Sequence, residues 1–262
     1  GTMVIIMLGD VVGQSGCEAV RALLPGLRRD YRADAVIVNG ENSAQGNGIL
    51  PSSAKHLFDS GANVITTGNH VFRRREIYDL LEAEEGVIRP ANFSPECPGT
   101  GVFRLDLLRC SIAVVNLMGT AGMEPLANPF DTADRILKTL DTPFVVLDFH
   151  AETTSEKRAM GFYLDGRVSV VAGTHTHVQT ADEQILPGGT AYLTDLGMCG
   201  PVHSVLGVKP EQVIARFRNA MPTRFENPAG GPQYVCGLAV TLDERTGRAA
   251  AVERISRIVE PR

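Results

Sequence analysis

Val4-Ile5-Ile6-Met7-Leu8-Gly9-Asp10 carries a run of branched and apolar side chains straight into a carboxylate. A strand that is apolar at every position is covered on both faces. Residues 4–8 therefore read as an interior strand that sets a charged group at its C-terminal end. Downstream, Ser15 offers a helix N-cap, and Val20, Leu23, Leu24, Leu27 and Tyr31 recur along one helical face. The unit then repeats. Residues 35–38 are a second apolar run ending at Asn39-Gly40-Glu41-Asn42, and residues 51–60 read as a helix that begins at Pro51 and is stopped by Gly61. Residues 63–66 are a third run, ending at Gly68-Asn69-His70. Such a succession predicts right-handed crossovers and a mostly parallel sheet in the N-terminal half, with ligands bound beyond the carboxyl ends of the strands.

Outside these units, the Pro- and Gly-rich stretch 94–101 reads as a loop, since strand patterns resume directly after it. Residues 112–115 end at Asn116, residues 144–149 at His150, and residues 168–172 at Gly173-Thr174-His175-Thr176-His177. Strands expected at 190–194, 234–242 and 249–255 have less helix between them, which predicts more antiparallel pairing late in the chain, with a further loop at 226–233. No repeat of fixed period is present. One α/β domain over residues 3–262 is expected; Gly1 and Thr2 precede the first Met and read as an expression scar.

With 262 residues, 44% of them hydrophobic and 21% charged, the composition is that of an ordinary globular protein. No apolar stretch approaches the roughly 20 residues that span a bilayer, and no cationic segment leads into the first apolar run. A soluble, cytoplasmic protein without a membrane partner is expected. Cys17, Cys97, Cys110, Cys199 and Cys236 are scattered and free of C-x-x-C spacing, which predicts reduced thiols. A net charge of −5 supplies no basic face for a long nucleic acid, so a small phosphorylated ligand fits better. Oligomeric state stays open, a homo-oligomer included. The stretches 46–48 and Gly188-Gly189 lack the Gly-x-Gly-x-x-Gly arrangement after a strand and predict turns, not a dinucleotide site.

If the strands share one sheet, their ends gather Asp10, Glu41, Asn42, Asn69, His70, His150, His175 and His177 at one rim. A regular strand would point His175 and His177 the same way, whereas a loop could spread them over two metals. Carboxylate, amide and imidazole form a mixed oxygen and nitrogen donor set that suits iron, manganese or zinc, not an all-sulfur site or a Ca²⁺ cage. Two cations about 3.5–4 Å apart lower the pKa of a shared water from about 15.7 towards about 7 and clamp the oxygens of an in-line displacement. Phosphoryl transfer depends on positioning and charge neutralisation, so no Ser or Cys nucleophile is required. The expected metal ligands are Asp10, Glu41, Asn42, Asn69, His150, His175 and His177, with His70 as general acid.

Each residue alone has a quieter reading. Asp10 and Asn42 could cap helices, Asn69 could stabilise a turn, and a lone histidine is more often structural than a ligand. Placement decides: four of the six histidines fall at strand ends, while His56 falls in a helix and His203 in a loop. Arg73, Arg74 and Arg75 read as a solvated charge run. Asn116 is open between a strand terminator and a substrate-contacting amide, and Glu152, Lys157 and Arg158 between partners of the ligands and exposed helix residues.

Asp10, Gly40-Glu41-Asn42, Gly68-Asn69-His70, His150 and Gly173-Thr174-His175-Thr176-His177 resemble, in order and placement, the motif blocks of the calcineurin-like metallophosphoesterases. The surrounding segments, 39–43, 66–70, Asn116-Leu117-Met118-Gly119 and Thr194-Asp195-Leu196-Gly197-Met198, resemble the YmdB-like branch over most of the chain. The resemblance implies a four-layer αββα sandwich, a di-iron centre and 2',3'-cyclic-nucleotide 2'-phosphodiesterase activity through a metal-bridged hydroxide. It implies that Asp10, Asn42 and His177 serve one metal, Asn69, His150 and His175 the other, and Glu41 both. This sequence departs from the superfamily in having Asp10-Val11-Val12 in place of an Asp-x-His opening, Glu41 in place of Asp, and Val71 after His70. A phosphomonoesterase with the same machinery and a metal-dependent nucleotide-sensing regulator with little turnover are the alternatives.

Overall fold

The computed structural model describes residues 1–260. The chain begins with β1 (Thr2–Leu8), β2 (Asp10–Val11), α1 (Gly13–Tyr31), β3 (Ala35–Asn39), α2 (Pro51–Ser60) and β4 (Val64–Thr66). A 3₁₀ turn then leads into α3 (Tyr78–Glu82), followed by β5 (Val102–Asp106), β6 (Ser111–Met118), α4 (Pro129–Leu137), β7 (Val145–His150), α5 (Thr154–Leu164) and β8 (Val170–Thr174). The remainder is β9 (Gln184–Ile185), β10 (Ala191–Leu193), β11 (Met198–Pro201), α6 (Pro210–Asn219), β12 (Gln233–Asp243) and β13 (Ala249–Val259). No helix among the described residues is long and apolar enough to cross a membrane.

The strands form two sheets. One has seven strands, ordered β2-β11-β12-β1-β3-β4 with β13 also on β12; the other has six, ordered β5-β6-β7-β8-β10-β9. β1, β3 and β4 run parallel, as do β6, β7, β8 and β10. The late strands supply most of the antiparallel pairs, β12 lying against β1, β11 and β13, with β5 on β6 the earlier one. Alternation along β1 explains the layering, because successive side chains leave opposite faces of a strand. Ile6 and Leu8 pack with Val20, Leu24 and Leu27 of α1 and Leu57 of α2, whereas Ile5 and Met7 face Val114, Val146 and Val170 of the second sheet. The far face of that sheet, through Val115, Leu147 and Val171, packs on Ala133 of α4 and Met160 and Leu164 of α5. Helices, sheet, sheet and helices make the four-layer αββα sandwich implied by the resemblance. Each large β1 side chain, fully removed from water, contributes about 1.5–3 kcal/mol.

Three points that the sequence left open or read otherwise are decided by the structure. The strands that end in polar residues do not share one sheet: β1, β3 and β4 belong to the first and β6, β7 and β8 to the second. Both groups buried on two faces read alike in sequence, so periodicity could not separate them. Helix α1 starts at Gly13, not after a cap at Ser15; Val12 is its extended N-cap without a side-chain bond. The Gly13 N–H donates instead to the Asn42 carbonyl (3.0 Å), which ties the helix start to the loop after β3. Strand β6 runs through Asn116 to Met118, so Asn116 terminates nothing. Its amide joins the two sheets, accepting from the Thr67 N–H (2.8 Å) and donating to the Asp148 carbonyl (3.3 Å).

Candidate metal centre

The carboxyl ends of both parallel groups meet at one rim. From the first sheet, β1 leads to Asp10, β3 to Glu41 and Asn42, and β4 to Asn69 and His70; from the second, β7 ends on His150 and β8 leads to His175 and His177. All eight sequence-predicted side chains come together there. On one side His177 Nε2 lies 3.3 Å from Asp10 Oδ2 and 3.2 Å from Asn42 Nδ2. On the other, His150 Nε2 lies 3.0 Å from Asn69 Oδ1 and 3.2 Å from His175 Nδ1. Glu41 stands between, with Oε1 3.2 Å from His150 Nε2 and accepting from Asn42 Nδ2 at 3.1 Å. Ligand atoms of Glu41, His150 and His175 all lie within 4.8 Å of one another. His70 Nδ1 is 2.6 Å from Asn42 Oδ1, and the His70 N–H donates to Glu41 Oε2 (2.7 Å). The ring partner of His70 is thus an amide of the site, a role that the sequence does not reveal.

Each of the three remaining imidazoles is anchored by one nitrogen and turned inward by the other. His150 Nδ1 meets Thr174 Oγ1 (2.8 Å), and that hydroxyl donates onward to Asp148 Oδ1 (2.6 Å). Since the hydroxyl proton is committed to Asp148, Thr174 must accept from His150, which places the His150 proton on Nδ1 and the lone pair on Nε2. His175 Nε2 lies 2.7 Å from Glu152 Oε2, leaving Nδ1 for the centre, and His177 Nδ1 lies 3.0 Å from the Leu206 carbonyl, leaving Nε2. This pattern of outward donors is what metal-binding histidines require. His175 (φ 104°) and His177 (φ 69°) both adopt positive φ, so the segment is a loop that spreads them to opposite sides and not a continued strand. Thr176 between them is gripped by Asp195 Oδ2, which accepts from its N–H (3.1 Å), its hydroxyl (2.6 Å) and buried Lys157 Nζ (2.9 Å). The glycines of the blocks have steric reasons: a Cβ at Gly68 would sit 2.2 Å from the His150 ring, and one at Gly173 would sit 1.8 Å from the Thr194 carbonyl oxygen.

Burial works against charge at Asp10, Glu41, His150 and His177 alike, yet opposite charges prevail. His177 and His150 hold Asp10, and His150 and His70 hold Glu41, below the usual carboxylate range. Reciprocally, Glu41 and Asp10 raise His150 to about 9, and Asp10 raises His177 to about 9. His175 is lowered by burial and by neighbouring His150. Asp10 Oδ2 is buried and makes no hydrogen bond, His177 standing near it without the alignment for one. A buried anionic oxygen without a donor calls for a cation. The mixed donor set and this orphaned oxygen fit divalent metal ions.

Sequence reasoning missed the residues behind the ligands. Asp148, two positions before His150 on β7, was visible as a charge inside an apolar run; burial raises its carboxyl to about 6, and Thr66, Asn39 and Thr174 all donate to it. Lys157 and Glu152 are contacts of the site, while Arg158 lies near Asp182 (3.7 Å). Arg74 is not simply solvated: its Nε donates to the Asn47 carbonyl (2.9 Å) and Nη2 to that of Ala44 (3.4 Å), and it lines a cleft of about 500 Å³ with Glu41, His70, His175 and His177.

The chain is similar along its whole length to known proteins. The 2',3'-cyclic-nucleotide 2'-phosphodiesterase of Bacillus subtilis (strain 168) is 44% identical over 255 residues, covering 97% of this chain and 96% of that protein. A crystal structure of a hypothetical protein from Thermus thermophilus superposes with a TM-score of 0.92 at 41% identity, covering 99% of this chain and all of the other. A novel phosphatase from Mycoplasma pneumoniae superposes with a TM-score of 0.94 at 34% identity, covering 100% and 95%. The profile of the YmdB-like proteins matches residues 6–255, and with those relatives at full length the chain belongs to the YmdB-like protein family.

Proposed function

We propose that this chain, acting as a single catalytic domain, is a dinuclear metal-dependent phosphodiesterase that opens 2',3'-cyclic nucleotides at the 2' ester. That it is a metal-dependent phosphoesterase follows from its family; the substrate reading is supported by the B. subtilis relative. The observation that carries the proposal is the pairing of inward nitrogens with oxygens in two groups about Glu41. Asp10, Asn42 and His177 would hold one ion, Asn69, His150 and His175 the other, and Glu41 would reach both, with iron favoured and manganese or zinc accepted by the same donors. When bound, such ions neutralise phosphate charge and make water nucleophilic near neutrality.

The chain's own residues do the rest. Because the outward nitrogens of His150, His175 and His177 are committed elsewhere, the nitrogens that would give up a proton and hold an ion are the inward ones. His70, whose side chain is 27% exposed at the cleft, is held through Nδ1 by Asn42 Oδ1, so an imidazolium there presents its Nε2–H outward. As water oxygen bonds to phosphorus and the P–O2' bond breaks, that proton passes to O2', leaving a nucleoside 3'-phosphate. General acid assistance of this kind is worth roughly 10²–10⁴ in rate.

The test is elemental analysis of anaerobically purified protein beside turnover of 2',3'-cyclic AMP and p-nitrophenyl phosphate. Two metals per chain and preference for the cyclic diester are expected; faster hydrolysis of the monoester would replace the proposal with a phosphomonoesterase. Negligible turnover by the metal-loaded protein, with tight nucleotide binding, would point to a sensor. His70→Ala should keep both metals and lose most turnover of the cyclic diester, and an unchanged rate would remove it from the acid role.

A further inference from the structure

The cleft over the metal centre has a second wall that none of the motif blocks supplies. Arg224, Phe225 and Asn227, from the irregular segment between α6 and β12, line it together with His70, Arg74, His175 and His177. This segment is docked, not draped. The Asn227 side chain donates to the Gly207 carbonyl (2.8 Å), next to the Leu206 carbonyl that anchors His177. It also occupies space that a Cβ at Gly13 or Gly46 would take, at 2.7 and 2.8 Å. The Glu226 N–H donates to Gln212 Oε1 (2.7 Å), and its carbonyl accepts from the Lys209 N–H (2.9 Å). Phe225 is thereby fixed to the same turn that orients a proposed ligand, yet the residue stays 48% exposed in the cleft wall.

An aromatic ring held at the rim of a phosphate-hydrolysing cleft has a natural occupant. Every nucleobase has a π-face that can stack on such a ring, with little choice among bases. Arg74, whose guanidinium is held by two carbonyls and not by a carboxylate, keeps its charge available to the same cleft. A planar guanidinium suits phosphate oxygens. We infer that Phe225 is the base-stacking platform and Arg74 a phosphate contact of a nucleotide site, so that the cleft selects nucleoside phosphates over base-free phosphates. This rests on the nucleotide reading of the same cleft and names how it recognises its substrate.

Equilibrium binding tests it without requiring turnover. Metal-loaded protein is titrated with adenosine 3'-monophosphate and, separately, with inorganic phosphate. The nucleotide should bind at least about tenfold more tightly than phosphate, the lower range of one stacked base. Phe225→Ala should remove most of that preference, Phe225→Trp should retain it, and Arg74→Ala should weaken both ligands about equally. A preference that survives Phe225→Ala, or its absence in the wild type, overturns the stacking role; unchanged phosphate affinity in Arg74→Ala overturns the second contact. Failure of cyclic-nucleotide hydrolysis would appear in the turnover assay, separately from these affinities.

Discussion

The two sheets furnish the centre in different ways. The first delivers oxygen donors, Asp10, Glu41, Asn42 and Asn69, from short loops after β1, β3 and β4. The second delivers imidazoles from the ends of β7 and β8, with ionisable groups buried behind them: Asp148 under Thr174, and the Lys157–Asp195 pair under Thr176. A carboxylate offers either oxygen and has no tautomer to fix, whereas an amide needs only its oxygen turned to the right partner, as Asn42 Oδ1 is turned to His70. An imidazole presents the right nitrogen only when the other one is committed. The second sheet therefore carries the costly buried ionisable groups, Asp148, Lys157 and Asp195, while the first contributes neutral donors such as Asn39 and Thr66 to them.

The sharpest way to break this contrast is at Lys157. Replacing it with Met leaves Asp195 buried without its counter-charge, which should cost about 3–5 kcal/mol of folding stability, read as a fall in the urea midpoint. Adding Asp195→Asn should recover much of that loss. A Lys157→Met protein as stable as wild type would show that the pair is dispensable and the contrast overstated.

Next in size is the competition between metal and protons. In the metal-free centre His150 and His177 are held protonated up to about 9 by Glu41 and Asp10, and binding through their inward nitrogens must expel those protons. Each ion displaces one such proton, so raising pH towards about 9 should lift the apparent affinity for each by up to about tenfold per pH unit and flatten above that point. Metal titrations at several pH values check it, and a flat profile would mean that the imidazoles are not displaced.

Most of the first sheet's contribution is legible in sequence, because each oxygen donor directly follows an apolar run and the signal lies in three or four adjacent residues. The imidazoles were legible for the same reason. What supports them was not. Thr174 reads as a spacer in Gly173-Thr174-His175-Thr176-His177, and only the fold brings its hydroxyl between Asp148 and His150, on neighbouring strands. Lys157 stays open in sequence between a partner of the ligands and an exposed helix residue; only the packing of α5 on β8, which carries it to a carboxylate 38 positions away, decides. Local pattern likewise could not say whether the polar-ended strands share one sheet, since a strand covered on both faces does not record which neighbour covers it.

Thr174→Val tests the hidden half directly. The substitution keeps shape and removes the hydroxyl that fixes His150, so metal affinity should fall about 10–100-fold while the oxygen donors stay in place. Competition with a chelator measures it, and an affinity within error of wild type would release His150 from any dependence on its tautomer.

Glu152 is expected to matter least, and that difference refines what the second sheet is for. It anchors His175 much as Thr174 anchors His150, yet its side chain is 51% exposed, so water screens its charge and can replace it as an acceptor for Nε2–H. Glu152→Gln also keeps an amide oxygen at the same reach. Metal affinity should therefore fall by less than about tenfold, below the range of a buried partner, in the same chelator competition. Equal losses for Glu152→Gln and Thr174→Val would mean that contact alone, without burial, sets the worth of an anchor; the buried Asp148 would then be a stability burden with no return at the centre.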